Sequence, residues 1–175
     1  MSRLNLVARH LVILGIVAMA GLCWSGCSSR NPQAIQDVPV TNKRSYPVEV
    51  AVGTAGDSVP VAAADYRSAL VTTIANVGAF TGVQNSTSAK ISVKVMSVDA
   101  DNFGFTLSAT TNTFWVFTDG AGGNHTSDIV GKSSKSTSDA LLGPNRQREA
   151  IRGSMEDSIR KGLAWISGLT DGTSK

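Results

Sequence analysis

The chain has 175 residues, with 16 Lys or Arg against 13 Asp or Glu, a formal charge of +3, two His and two Cys. That length suits one domain. The two Cys allow at most one disulfide, the two His, at positions 10 and 125, lack the close pairing of a Cys/His zinc cluster, and a positive charge points to nucleic acid only if it gathers into a patch on the folded part.

Residues 1–27 read MSRLNLVARHLVILGIVAMAGLCWSGC, with Arg3 and Arg9 ahead of an apolar run from Leu11 to Leu22 and small residues just before Cys27. This is the layout of a secretory signal peptide. The apolar run is about a dozen residues, short of the ~20 that a helix needs to cross a bilayer. Trp24-Ser25-Gly26-Cys27 resembles the lipobox of bacterial (Gram-negative) lipoproteins, with Trp24 where those signals usually carry Leu. The resemblance implies cleavage before Cys27 and acylation of its thiol. Cys23 fits less well because bulky Leu22 precedes it, and Ala18-Met19-Ala20 offers an ordinary signal-peptidase site that would release a soluble protein. Several acyl chains on one cysteine hold firmly where one binds marginally. By the same resemblance, Ser28 and Ser29, in place of an Asp after the cysteine, favour the outer membrane.

Removing residues 1–26 takes away Arg3 and Arg9 and no acidic residue, leaving 14 basic against 13 acidic side chains, a net of +1. Nucleic acid is therefore not an expected partner. Residues 27–45 are polar, contain Pro32 and Pro39 and lack a period, and are read as a lipidated N-terminus and flexible tether. The domain is expected over 46–170, with a disordered tail at 171–175.

Val48, Val50 and Val52 alternate as in a half-buried strand, and Gly53 to Asp57 follow as a loop. From Ala62 to Phe80 the period becomes helical, with Tyr66, Ala69, Leu70, Thr73, Ile74, Val77 and Phe80 on one face. Ile91, Val93 and Val95 alternate with Lys90, Ser92 and Lys94, which gives a strand with one wet side. Asp99 to Asn102 reads as a turn. Phe103, Phe105, Leu107 and Ala109 then alternate, and Thr113 to Thr118 continue as strand. Asp119 to Asn124 is a glycine-rich hairpin loop, His125 to Lys132 pairs back, and Ser133 to Ser138 is a polar connection. Asn145 to Leu169 is a helix with Ile151, Met155, Ile159, Ile166 and Leu169 on one face and Trp165 at its border. Glu156–Arg160 and Asp157–Lys161 stand at i,i+4 on the back. The expected fold is α+β: an antiparallel sheet of about four strands with two amphipathic helices packed on one face.

Few residues suggest chemistry. Asp99 to Gly104 echoes an EF-hand loop but has Phe103 and Thr110 where oxygen ligands belong, so no metal is expected. Gly120 to Gly123 lacks the spacing of a phosphate loop, and no cofactor is expected. His125 stands near Asp128 without a nucleophile motif and reads as a surface histidine. An envelope enzyme using it is the weaker alternative; burial beside a carboxylate and a Ser or Thr would favour it. Two surfaces are expected to meet a partner. One is aromatic, with Trp115 and Phe117 on one side of their strand and Phe114 on the other. The second is the cluster Arg146, Arg148 and Arg152, suited to lipopolysaccharide, anionic lipid or an acidic protein. The size and plan resemble those of small outer-membrane accessory lipoproteins of Gram-negative bacteria. They imply a non-enzymatic binding or assembly role facing the periplasm, the alternative being a purely structural lipoprotein.

Overall fold

The computed structural model describes residues 29–56, 59–139 and 142–171. The signal segment, Cys27 and the last four residues lie outside the described residues, as do the expectations placed on them.

The chain runs β1 (Glu49–Thr54), α1 (Ala63–Val77), β2 (Lys90–Ala100), β3 (Thr106–Thr118), β4 (Asn124–Ser136) and α2 (Gly143–Gly168), and the strands lie in the order β1-β2-β3-β4. The α+β architecture is the expected one, with one correction: β1 pairs with β2 in parallel, so the sheet is mixed. The reason is the connection. A helix between two neighbouring strands returns the chain to its starting end, whereas the turns after β2 and β3 reverse it. Both helices stop or start on local chemistry. Gly78, at φ 61°, closes α1 by donating its N–H to the Ile74 carbonyl at 3.0 Å, and Pro144 sits in the first turn of α2.

One face of the sheet is covered by both helices. Val50, Ile91 and Phe117 stand in one rung of that face, Val93 and Trp115 in the next, and Val95, Thr113 and Ile129 in a third. All are buried, as are Tyr66, Leu70 and Ile74 of α1 and Met155, Ile159, Leu163 and Ile166 of α2. The helical spacing identified most of this surface but not Ser154, Ser158 and Gly162, a stripe of small residues at i,i+4 that lets α2 approach closely. Ser154 Oγ donates to the Ile151 carbonyl and accepts from Thr111 Oγ1 at 2.7 Å, while Ser158 Oγ donates to Met155 and accepts from Tyr66 Oη at 2.7 Å. Burial pushes the Tyr66 phenol well above its usual range, so it remains a neutral donor. Gly162 lies against the indole of Trp115, whose Nε1 donates to Thr113 Oγ1 at 2.9 Å. The buried hydroxyls are thus paired, as stability requires.

Side chains also blunt the sheet's edges, which would otherwise offer free backbone groups to another chain. Arg67 Nε donates to the Val50 carbonyl at 3.0 Å. On β4, Lys132 N–H donates to Asp157 Oδ2 and the Val130 carbonyl accepts from Lys161 Nζ, both at 2.9 Å. Lys161 pairs with Asp157 at 2.7 Å as expected; Glu156 does not pair with Arg160 but with Arg152, at 3.7 Å, because Arg160 turns to Asp37.

Asp37 belongs to the segment expected to be a flexible tether, and here the expectation is corrected. From Asn31 onward the chain is a strap laid along α2 and against α1. Gln33 N–H donates to Glu156 Oε1 at 3.0 Å, Ile35 N–H to Thr73 Oγ1 at 3.0 Å and Thr41 N–H to Ser167 Oγ at 3.1 Å. Ile35 is buried, Val38 and Val40 pack on the core, and Arg44 is buried. Arg44 Nη2 donates to the carbonyls of Ile166 at 2.9 Å and Leu169 at 2.6 Å, its Nη1 pairs with Asp171, and its guanidinium lies over the ring of Phe117. A cation on the last carbonyls also suits the negative end of the helix dipole. The tail expected from 171 thus begins with a residue held by Arg44 and by Tyr46 Oη at 2.8 Å.

The strap carries a pH prediction. The Arg160 guanidinium beside Asp37, by its hydrogen bond and then by its charge, holds that carboxyl below the usual carboxylate range. A depressed carboxyl stabilises the fold above its unfolded pKa of about 3.9 and loses that contribution as pH falls through the lower, folded value. Hydrogen-exchange protection of the Gln33 and Ile35 amides should therefore persist from neutral pH to about 4 and decline below it. A decline already complete at about pH 5 would contradict this.

Candidate binding surface on the open face of the sheet

The second face of the sheet has no helix over it. Its rungs are Ala51, Ser92, Val116 and Thr126, then Gly53, Lys94, Phe114 and Asp128. Small residues on β1 and β2 stand beside the taller Phe114 and Val116 of β3, leaving a shallow, predominantly apolar trough of about 350 Å³ lined by Ala51, Gly53, Ser92, Lys94, Phe114 and Val116. A methyl group added at Gly53 would meet nothing within 4 Å. Phe114 and Val116 are half-buried, where a sheet face that meets only water would ordinarily carry polar side chains.

This changes the assignment of the aromatic residues. The alternation correctly separates Trp115 and Phe117 from Phe114, but Trp115 and Phe117 are on the helix-covered side and fully buried, so neither can meet a partner. Their counterparts on the open face are the half-buried Phe114 and Val116. Nor do the three arginines form a patch. At about 100° per residue, Arg146 and Arg148 point to opposite sides of α2. Arg146 is buried, with Nη2 donating to the Gly104 carbonyl at 3.3 Å, and Arg152 faces Glu156. Only Arg148 and Arg152 share a side.

His125 is not a surface residue either. It is stacked on Phe117, and its Nε2 lies 3.4 Å from Oδ2 of the fully buried Asp119. Asp119 Oδ1 accepts the N–H groups of Ala121 and Gly123 at 2.9 and 2.8 Å, so the carboxylate organises the hairpin turn and orients the imidazole. A groove of about 510 Å³ opens beside it, lined by Asn124, His125, Trp165 and Leu169 among others. The carboxylate that an enzyme would need is in place, but no hydroxyl among the described residues hydrogen-bonds to His125, so the nucleophile–base contact is missing. Among the described residues, no group of His, Cys, Asp and Glu is placed to hold a metal ion, and no helix is long and apolar enough to cross a membrane.

A mixed sheet covered by helices on one face, with an apolar trough on the other, defines the structural class. No family model matches the chain and no curated protein is detectably similar to it. Among solved structures it is similar to a Xanthomonas campestris protein assigned to DUF330, at 14% identity over 79% of this chain and 94% of that one, with a TM-score of 0.57. It is also similar to a hypothetical protein from Chlamydia trachomatis (7% identity, 74% and 99% coverage, TM-score 0.49) and to a minor lipoprotein from Acinetobacter baumannii (12%, 69% and 90%, TM-score 0.43). The first likeness shows a shared fold; the other two scores are too low to carry an argument.

Proposed function

We propose that the chain is an outer-membrane-anchored lipoprotein facing the periplasm, acting as a non-enzymatic binding or assembly accessory of the cell envelope. The observation that carries this is the open trough beside Phe114 and Val116, opposite a face that the two helices and the strap cover. Such a face suits a strand or loop of an envelope protein, or the acyl part of a lipid such as lipopolysaccharide. The lipobox-like residues ending at Cys27 support the anchor.

Two results are expected. A Cys27→Ser variant loses incorporation of a clickable fatty acid that the wild type shows; unchanged labelling would remove the anchor from the account. In a mild-detergent extract, the wild type migrates in a complex heavier than its monomer. A Phe114→Thr, Val116→Thr variant, which puts β-branched residues at both strand positions and is confirmed folded by its thermal transition, migrates as the monomer. A wild type that runs alone, or a variant that keeps the complex, would overturn the binding role.

A further inference from the structure

The turn between β2 and β3 is firmly built and yet presents its largest side chains to solvent. Asp101 N–H donates to the Ser108 carbonyl at 2.9 Å, and Asp101 Oδ2 accepts the Ser108 N–H at 3.0 Å. From α2, Gln147 Nε2 donates to the Asp101 carbonyl at 3.2 Å and to Asn102 Oδ1 at 2.8 Å, and Arg146 reaches the Gly104 carbonyl. On this base Phe103 is 92% exposed and Phe105 84%, with Leu142 at 65% at the adjoining start of α2. The strand alternation made Phe103 and Phe105 part of β3; they instead precede it. A bolted turn with two phenyl rings in water needs an apolar partner to explain it.

The strap points to which partner. Reading toward the N-terminus it passes Ser167, then Arg160, then Glu156, so it climbs α2 toward the helix start and this same turn. From Glu156 back to Gly143 is thirteen residues, about 20 Å of helix. From Gln33 to Cys27 is six residues, at most about 20 Å of chain. The strap, running in that direction, thus leaves a leash long enough to bring Cys27 level with the end of the molecule that carries Phe103, Phe105 and Leu142.

We propose that this end is a second membrane contact: Phe103, Phe105 and Leu142 insert into the phospholipid bilayer that holds the acyl chains of Cys27, orienting the domain with its α2 start toward the lipid. Because several acyl chains on Cys27 already hold it firmly, these side chains serve to orient the domain, and aromatic rings suit the membrane–water boundary. The inference rests on acylation of Cys27, and its test separates the two. The full acylated protein is reconstituted in phosphatidylethanolamine–phosphatidylglycerol vesicles with brominated acyl chains, carrying either Phe103→Trp or, at the opposite end of the sheet, Thr126→Trp. Relative to the wild-type background, Trp at 103 should be quenched several-fold more strongly than Trp at 126. If the protein does not stay with the vesicles, the anchor fails and the insertion with it. If it stays but both positions are quenched equally or not at all, the insertion alone is wrong. A photo-crosslinker at 103 that captures a protein in cells, with Trp at 103 unquenched, would overturn insertion in favour of a protein partner.

Discussion

Replacing Gly131 with Ala should destabilise the domain by about 3 kcal/mol and lower Tm by roughly 6–12 °C. A Cβ at this point of β4 would lie 2.0 Å from the Ser154 carbonyl oxygen and 2.5 Å from the Ser158 nitrogen. Both atoms are α2 backbone, so no side-chain rotation relieves the clash; the whole helix must move off the sheet. That movement would break the hydroxyl pairs Ser154–Thr111 and Ser158–Tyr66, and leaving buried polar groups unmatched adds to the loss. Gly53→Ala makes the same chemical change where nothing stands within 4 Å, and its Tm should stay within about 2 °C of the wild type. Thermal unfolding of the two variants side by side checks the account. Equal effects would mean that α2 does not pack on β4 at the stated distance.

Replacing Arg44 with Ala should cost a similar amount, about 3 kcal/mol, and should also free the strap. Its guanidinium joins the Ile166 and Leu169 carbonyls, Asp171 and the ring of Phe117, so truncation leaves the end of α2 uncapped and a gap over an aromatic core. The strap is also held by the buried Pro32 and Ile35, the latter's burial contributing about 1.5–3 kcal/mol. Arg44→Lys keeps the charge but not the fork that reaches several acceptors, and should fall between the two. The readouts are Tm and limited proteolysis. Cleavage within residues 31–45 should quicken in Arg44→Ala well before the rest of the chain opens, and wild-type rates there would show that the strap is held without Arg44.

The parts of the fold legible in the sequence are those written in hydrophobic period. Ile91, Val93 and Val95 on one strand, Trp115 and Phe117 on another, and Tyr66, Leu70 and Ile74 on a helix all face the core as their spacing implies. What the period hides is packing by residues that carry no hydrophobic signal. Ser154, Ser158 and Gly162 face the sheet because they are small, and a scale of hydrophobicity scores them as solvent-facing. The strap is hidden for a related reason. An extended chain in a groove shows no repeat, and its contacts lie far away in sequence, as Gln33 on Glu156 does.

The open face was half legible. Alternation divides Phe114 and Val116 from Trp115 and Phe117, but it cannot say which set the helices cover; that is decided by where α1 and α2 pack. The arginine cluster failed on angle, since composition counts three cations and ignores the turn of the helix between Arg146 and Arg148. Phe103 and Phe105 fit a strand pattern and are instead held outward by hydrogen bonds from α2, a tertiary arrangement that no local period encodes.

In-cell photo-crosslinking at position 114 tests the central claim most directly, with a control at Thr72 on the exposed side of α1. A discrete adduct should form from position 114 and be absent from position 72, because only the first lies in the open trough. No adduct from 114, or the same products from both positions, would contradict a binding role for this face.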